Sequence, residues 1–193
     1  MVDSIFKDEG YMLFLTTKRD FENYHLHHSV NVAIISMAIG KKIGLNRYQL
    51  SRLGMSALFH DIGMAGIPNE LLDKKGALNE EETGLIMAHP EDGVRYLLRA
   101  RGLSEVFLLS MLASFEHHIN LDLTGYPHSD RTPNIYNRII RIADEYENLT
   151  SGKAYGRKPM SVKDALAEIL KDSGVSYDPP IVNAFIGLFA GSA

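Results

Sequence analysis

Ala57-Leu58-Phe59-His60-Asp61-Ile62-Gly63 runs from an apolar helical stretch directly into an imidazole, a carboxylate and a glycine. A carboxylate at the end of a buried helix needs a cation or several hydrogen-bond donors. Left unpaired, it costs several kcal/mol or shifts its pKa until it is neutral. An imidazole and a carboxylate side by side can address one metal ion, and the second carboxylate oxygen is free to bridge to another. The bland alternative is that His60 caps the negative end of its helix and Asp61 caps the next turn. On this segment alone the two readings stand level.

Outward from this segment the apolar residues recur with helical periodicity, and no stretch alternates like a strand. The expected fold is all-α, a single-domain helical bundle. Upstream, helices are expected over about Ile5–Thr16 and Glu22–Ile43, the second stopped by Gly44. Asn46 with Gln49 three residues on reads as a capping box opening a helix to about His60, with Leu50, Leu53, Met55, Leu58 and Phe59 as its apolar stripe. Downstream, Asp61–Leu78 reads as a loop rich in turn residues. Asn79 then caps a helix whose Glu80, Glu81 and Glu82 sit at the positive end of the dipole. Pro90, directly after His89, ends that helix, bends it or starts another. Further helices are expected over about Ser104–His118, Ile135–Leu149, Ser161–Asp172 and Pro180–Ala190. A polar loop, Asn120–Pro133, and a basic loop, Ser151–Pro159, fall between them. A short preamble, 1–21, and one domain, 22–193, is the economical division.

The composition narrows the chemistry. With 45% hydrophobic residues among 193, a sizeable core can be buried. The absence of cysteine removes disulfides, thiolate metal sites and cysteine nucleophiles together. A net charge of -4 gives no field for steering toward a nucleic-acid polymer. No apolar run is long enough to insert in a membrane, and the start lacks the order of a signal peptide, so a cytoplasmic location is the default.

Of the eight histidines, most stand at the ends or on apolar faces of expected helices. His117-His118 follows an apolar segment, and adjacent helical residues point about 100° apart, so the two rings can reach different ions. Asp144 follows Ile139-Ile140-Arg141-Ile142-Ala143 and is the best candidate for a buried acid in the later half; a surface-facing Asp144 is the bland alternative. Ligation by His and Asp without cysteine suits iron, manganese, zinc, nickel or cobalt. Two such ions about 3.5–4 Å apart can hold the attacking and leaving oxygens of a phosphoryl displacement.

The order His28, His60-Asp61, His89, His117-His118, Asp144 resembles the HD superfamily of metal-dependent phosphohydrolases. More narrowly it resembles the HD-GYP family of cyclic di-GMP phosphodiesterases. The likeness is carried by His28-Ser29-Val30-Asn31-Val32-Ala33, by the opening segment, by Gly66-Ile67-Pro68, His89-Pro90 and Gly125-Tyr126-Pro127. Arg141-Ile142-Ala143-Asp144-Glu145-Tyr146, Leu149-Thr150-Ser151 and Tyr177-Asp178-Pro179 extend it over about residues 22–190. The resemblance implies a bundle with a metal site in its core, holding two divalent ions, most often iron or manganese. It implies His28, His60, Asp61, His89, His117, His118 and Asp144 as ligands, with Asp61 bridging and Asp61 and His118 in the catalytic roles. It implies hydrolysis of cyclic di-GMP, or a related cyclic dinucleotide, to linear pGpG and/or GMP through a metal-bridging hydroxide. Tyr126, Lys153 and Arg157 would bind substrate, and the Gly125-Tyr126-Pro127 loop could also meet a signalling partner.

The sequence departs from the family pattern at several places. Met64 stands where the family usually has lysine, and methionine supplies no charge to a phosphate. Ile119 replaces a usual glutamate, and Leu123 a glycine suited to a tight turn. Lys153-Ala154-Tyr155-Gly156-Arg157-Lys158 replaces the family's phosphate-gripping basic run. Glu147 follows Tyr146 where aspartate is usual. Tyr24 takes the position from which a glutamate helps to hold a third ion in some members, which agrees with two. These departures frame the alternative: a catalytically weak or inactive module that keeps the metals and binds a cyclic dinucleotide, acting through protein contacts.

Overall fold

The computed structural model describes residues 1–3, 24–74, 76–99, 104–152 and 158–190. The helix expected over Ile5–Thr16 lies outside these residues, as do Lys153 and Arg157. The described residues form nine α-helices and one 3-10 turn, with no strand and two isolated bridges. None of the helices is long and apolar enough to cross a membrane.

Helix α1 (Tyr24–Lys42) is the axis of the bundle. Val32, Ala33, Ile34, Ile35, Met37, Ala38 and Ile39 are all buried, so the helix is apolar on every side and needs neighbours on every side. Two of these neighbours are α2 (Arg47–Leu58) and α7 (Ile135–Ser151); α9 (Pro179–Ile186) covers part of the remainder. The capping box is formed: the Asn46 side chain accepts from the Gln49 N–H at 3.0 Å, and Gln49 accepts from the Asn46 N–H at 2.9 Å. The apolar stripe expected on α2 is corrected in one respect. Leu50, Leu53 and Ala57 are buried, but Met55 is 39% exposed and on the outer face.

Where a loop was expected after Asp61, the chain forms a 3-10 turn (Ile62–Gly66) and a short helix α3 (Asn69–Leu72). Asn79 caps α4 (Glu80–Met87), again with a reciprocal box, to Glu82. A new helix, α5 (His89–Arg99), then starts at His89, so Pro90 occupies its first turn, where a missing N–H is harmless. Helix α6 (Glu105–Glu116) buries Ser110, Ala113 and Ser114. These small residues let α5 come close, and Ser114 Oγ donates to the Pro90 carbonyl at 3.3 Å. Helices α8 (Val162–Lys171) and α9 close the bundle, with Phe185 meeting Tyr146 of α7 edge to face at 5.1 Å. The last helix ends at Ile186 rather than near Ala190, because the chain turns at Gly187.

Candidate metal centre

The seven candidate ligands stand in helices or in the turns at helix ends, and the packing gathers them into two adjoining clusters. His28 comes from α1. His60 and Asp61 come from the turn after α2, His89 from the start of α5, His117 and His118 from the end of α6, and Asp144 from α7. His28, His60, His89, His117 and Asp144 are at most 3% exposed, so Asp144 is the buried acid and not a surface one. Asp61 keeps 19% of its side chain accessible and His118 is also only partly buried, so these are the two candidate ligands a solute can reach.

Two clusters of donor atoms share this core. One consists of His28, His60 and Asp144; the other of Asp61, His89, His117 and His118. Asp61 faces both. Its Oδ2 lies 3.5 Å from His28 Nε2 and 3.6 Å from His60 Nε2, and its Oδ1 lies 3.2 Å from His89 Nε2 and 3.3 Å from His117 Nε2. Asp144 Oδ1 completes the first cluster, 3.2 Å from His28 Nε2 and 3.7 Å from His60 Nε2.

The histidine tautomers follow from the other ring nitrogen. His60 Nδ1 donates to the Ala57 carbonyl at 2.7 Å, and His89 Nδ1 to the Ile86 carbonyl at 2.7 Å. His117 Nδ1 donates to the carbonyls of Ser114 and Ala113 at 2.9 and 3.0 Å. His28 Nδ1 donates to Glu147 Oε2 at 2.6 Å. Every one of these rings therefore turns Nε2 inward, and in the neutral ring that atom carries a lone pair. His89 and His117 bring these atoms within 3.1 Å, and His28 and His60 within 3.3 Å. Facing lone pairs repel at such distances unless a proton or a metal ion lies between them. Donors around one ion at about 2.0–2.2 Å stand about 3.0–3.5 Å from each other, the spacing these atoms keep. The donor set fits a divalent metal.

The electrostatics agree. Burial alone would raise the Asp61 carboxyl, but His60, His117 and His89 hold it well below the usual carboxylate range. Asp144 is likewise pushed up by burial and pulled well down by His28 and His60. Burial and the neighbouring His117 keep His118 well below its ordinary value, so it stays neutral and able to ligate. His28 behaves oppositely. Burial would lower it, yet Asp144 and Glu147 raise it well above 6.5, so in the metal-free chain a proton balances the carboxylates there.

The loop after α6 covers the second cluster. Tyr126 stacks on His118 with ring centroids 4.6 Å apart and an interplanar angle of 27°. Leu123 has φ 71° and Gly125 φ 96°, both left-handed. The first costs a leucine about 1–2 kcal/mol, so the departure from glycine at Leu123 carries strain. Ile119 is buried, bridged to Gly125.

Sequence reasoning named the candidate ligands but missed the groups that orient them. Glu147 accepts from His28 and, through Oε1, from Asn31 Nδ2 at 3.2 Å. Asn148 Nδ2 donates to Asp144 Oδ1 at 2.8 Å. A signal was present: Asn31 follows His28 by three, and Glu147 follows Asp144 by three. That spacing puts Asn31 on the face of His28 and Glu147 on the face of Asp144, both turned toward the site.

A helical bundle with this donor set at its centre defines a His/Asp metal-site protein. The HD domain family profile matches residues 14–181. Cyclic di-GMP phosphodiesterase PdeB of Borreliella burgdorferi is 36% identical over 166 residues, 85% of this chain and 42% of that protein. A 3'3'-cGAMP-specific phosphodiesterase 1 of Vibrio cholerae is 35% identical over 147 residues, 74% of this chain and 32% of its own length. Among solved structures, Bd1817, an HDG"Y"P protein of Bdellovibrio bacteriovorus, superposes with a TM-score of 0.77 at 16% identity. The match covers 98% of this chain and 60% of Bd1817. The chain belongs to the HD domain family, in its HD-GYP branch. It spans about half or less of the length of the curated relatives it matches.

Proposed function

We propose that the chain is a metal-dependent phosphodiesterase that opens cyclic di-GMP to linear pGpG, GMP or both, using two divalent ions such as iron or manganese. The observation that carries this reading is the orientation of Asp61. One carboxylate oxygen faces the His28–His60 pair and the other faces the His89–His117 pair. Ions held by these two sets of residues would supply Lewis-acid stabilisation of charge on phosphoryl oxygens and would lower the pKa of a water for in-line attack.

The chain's own residues do the rest. Asp61 stands between the two clusters and keeps part of its side chain accessible to a solute. The histidine Nδ1 bonds to backbone carbonyls fix the rings before substrate arrives, so little reorganisation is needed. Tyr126, stacked on His118 and partly exposed, sets an aromatic ring beside the second cluster, a surface suited to a nucleobase. The cyclic dinucleotide is taken from what relatives are named for, and these include both cyclic di-GMP and 3'3'-cGAMP enzymes.

The test is turnover by protein purified without oxygen and loaded with iron or manganese, assayed on cyclic di-GMP, 3'3'-cGAMP and cyclic di-AMP. Product that disappears in Asp61→Ala supports the reading. Tight binding of a cyclic dinucleotide with no product in any metal sinks it. That outcome would favour the second reading, a binding module, to which one observation points: Met64, in the turn beside Asp61, brings no charge to a phosphate.

A further inference from the structure

The two clusters are not equivalent, and the difference traces to one residue that does not itself point at the metal position. The His28–His60–Asp144 cluster has a carboxylate of its own in addition to its share of Asp61. The other cluster has three imidazoles and only its share of Asp61. The hydrogen bonds behind the rings also differ. His60, His89 and His117 lean on peptide carbonyls, but His28 donates Nδ1–H to an ionisable side chain, Glu147, at 2.6 Å. Glu147 is only 6% exposed and is itself fixed by Asn31, so it is a built contact and not a surface encounter. A carboxylate behind an imidazole raises its basicity as a ligand more than a carbonyl does, and removing such a partner commonly lowers metal affinity about 10–100-fold.

We propose that Glu147 is a positioning residue that makes the His28–His60–Asp144 cluster load its cation first and hold it more tightly than the Asp61–His89–His117–His118 cluster. The inference rests on the two-ion reading above. Glutamate reaches where the shorter aspartate would stop one methylene away, so the length of this side chain matters as well as its charge. Once the first cluster is filled, Asp61 is shared with an ion already in place. The second cluster then binds with less anionic charge available to it and exchanges more readily.

The experiment is a titration of metal-depleted full chain with Co(II), without oxygen, followed by its ligand-field absorption and by total bound cobalt. The expected wild-type result is two separated steps, each of one ion. In Glu147→Gln the first step weakens about 10–100-fold, and the second moves far less. Glu147→Asp falls between the two. In His117→Ala the second step is lost and the first survives. A circular-dichroism melt of each metal-free variant separates these effects from loss of the fold, since a merely structural role would lower both steps together. Two indistinguishable steps in the wild type would overturn the inference while leaving the two-ion reading intact. So would a Glu147→Gln curve that overlays it. No bound cobalt at all would overturn both.

Discussion

The backbone of Gly63 runs directly against the carbonyl of His89, so closely that a Cβ on Gly63 would stand 1.9 Å from that oxygen. The same Cβ would stand 2.7 Å from the Gly93 nitrogen, so both neighbours are backbone and neither can swing aside. The 3-10 turn that carries Asp61 into the site is thus seated on the first turn of α5, which carries His89. Gly63→Ala is expected to push these apart. Overpacking of this kind costs about 3 kcal/mol, and it should also weaken the cation bound by Asp61 and His89. Urea unfolding of the metal-free variant and bound metal by elemental analysis check it. Wild-type stability with two ions bound would show that the contact is not tight.

Metal uptake should be coupled to pH in a defined direction. In the metal-free chain His28 is raised well above 6.5, chiefly through Asp144 and Glu147 outweighing the burial that would lower it. Its contribution to stability is complete below 6.5 and is lost as pH rises through the folded value. Asp61 and Asp144 are shifted down from 3.8, so their contribution is present above that value and lost as pH falls through their folded values. The metal-free site is therefore most favourable between about 4 and 6.5, whereas a metal ion requires His28 to give up its proton. At about a hundredfold excess over Kd, metal should add about 3 kcal/mol of stability. The gain in Tm is expected to be clearly larger at pH 8 than at pH 5.5, with proton release detectable in a weakly buffered solution. Equal gains at both pH values would contradict the assignment of His28.

Two neighbouring left-handed residues should respond in opposite ways. A Cβ on Gly125 would lie 2.2 Å from the His118 carbonyl oxygen, and its φ of 96° already disfavours a side chain. Gly125→Ala is expected to destabilise by about 2 kcal/mol or more and to disturb the stacking of Tyr126 on His118. Leu123→Gly relieves strain of about 1–2 kcal/mol, partly offset by the greater freedom of glycine in the unfolded chain, about 0.5–1 kcal/mol. The net effect should be neutral or stabilising by up to about 1 kcal/mol. Thermal melts of the two variants decide this, and a strongly destabilised Leu123→Gly would mean that the leucine side chain contributes packing that outweighs its backbone.

How much of this was legible in the sequence depends on which interactions are local. The candidate ligands stood out because histidines and aspartates are rare at the ends of apolar helices, and His60-Asp61 and His117-His118 advertise themselves in a few residues. The capping box at Asn46 and the cap at Asn79 are also local and were readable. Which ring meets which carboxylate was not, because it depends on α1, α5, α6 and α7 converging on one point. Glu147 reads as a departure from a pattern until its 2.6 Å contact with His28, 119 residues away, is seen. The 3-10 turn was hidden for a different reason: Gly63 and Gly66 look like loop residues, and the turn is held by packing against α5 and not by propensity. The outward position of Met55 was misjudged because the small residues Gly54 and Ser56 face the core of α2 in its place.

Met64 is the departure with the most direct consequence for rate. It lies three residues after Asp61 in a 3-10 turn, and its N–H donates to the Asp61 carbonyl at 2.9 Å. In 3-10 geometry side chains at i and i+3 eclipse, so residue 64 extends on the same side as the Asp61 carboxylate. A lysine there would put a mobile cation beside the pocket, near a phosphate held at Asp61. Met64 is half-buried in the present chain and can only pack. Met64→Lys is expected to raise kcat/KM on the cyclic dinucleotide by about 10²-fold, the scale on which one electrostatic contact to a reacting oxyanion acts. Metal affinity should change little, because the ligand atoms are untouched. Steady-state kinetics of the metal-loaded variant, alongside a cobalt titration, separate the two effects. A rate that stays at the wild-type level would show that the missing charge at residue 64 does not limit this chain.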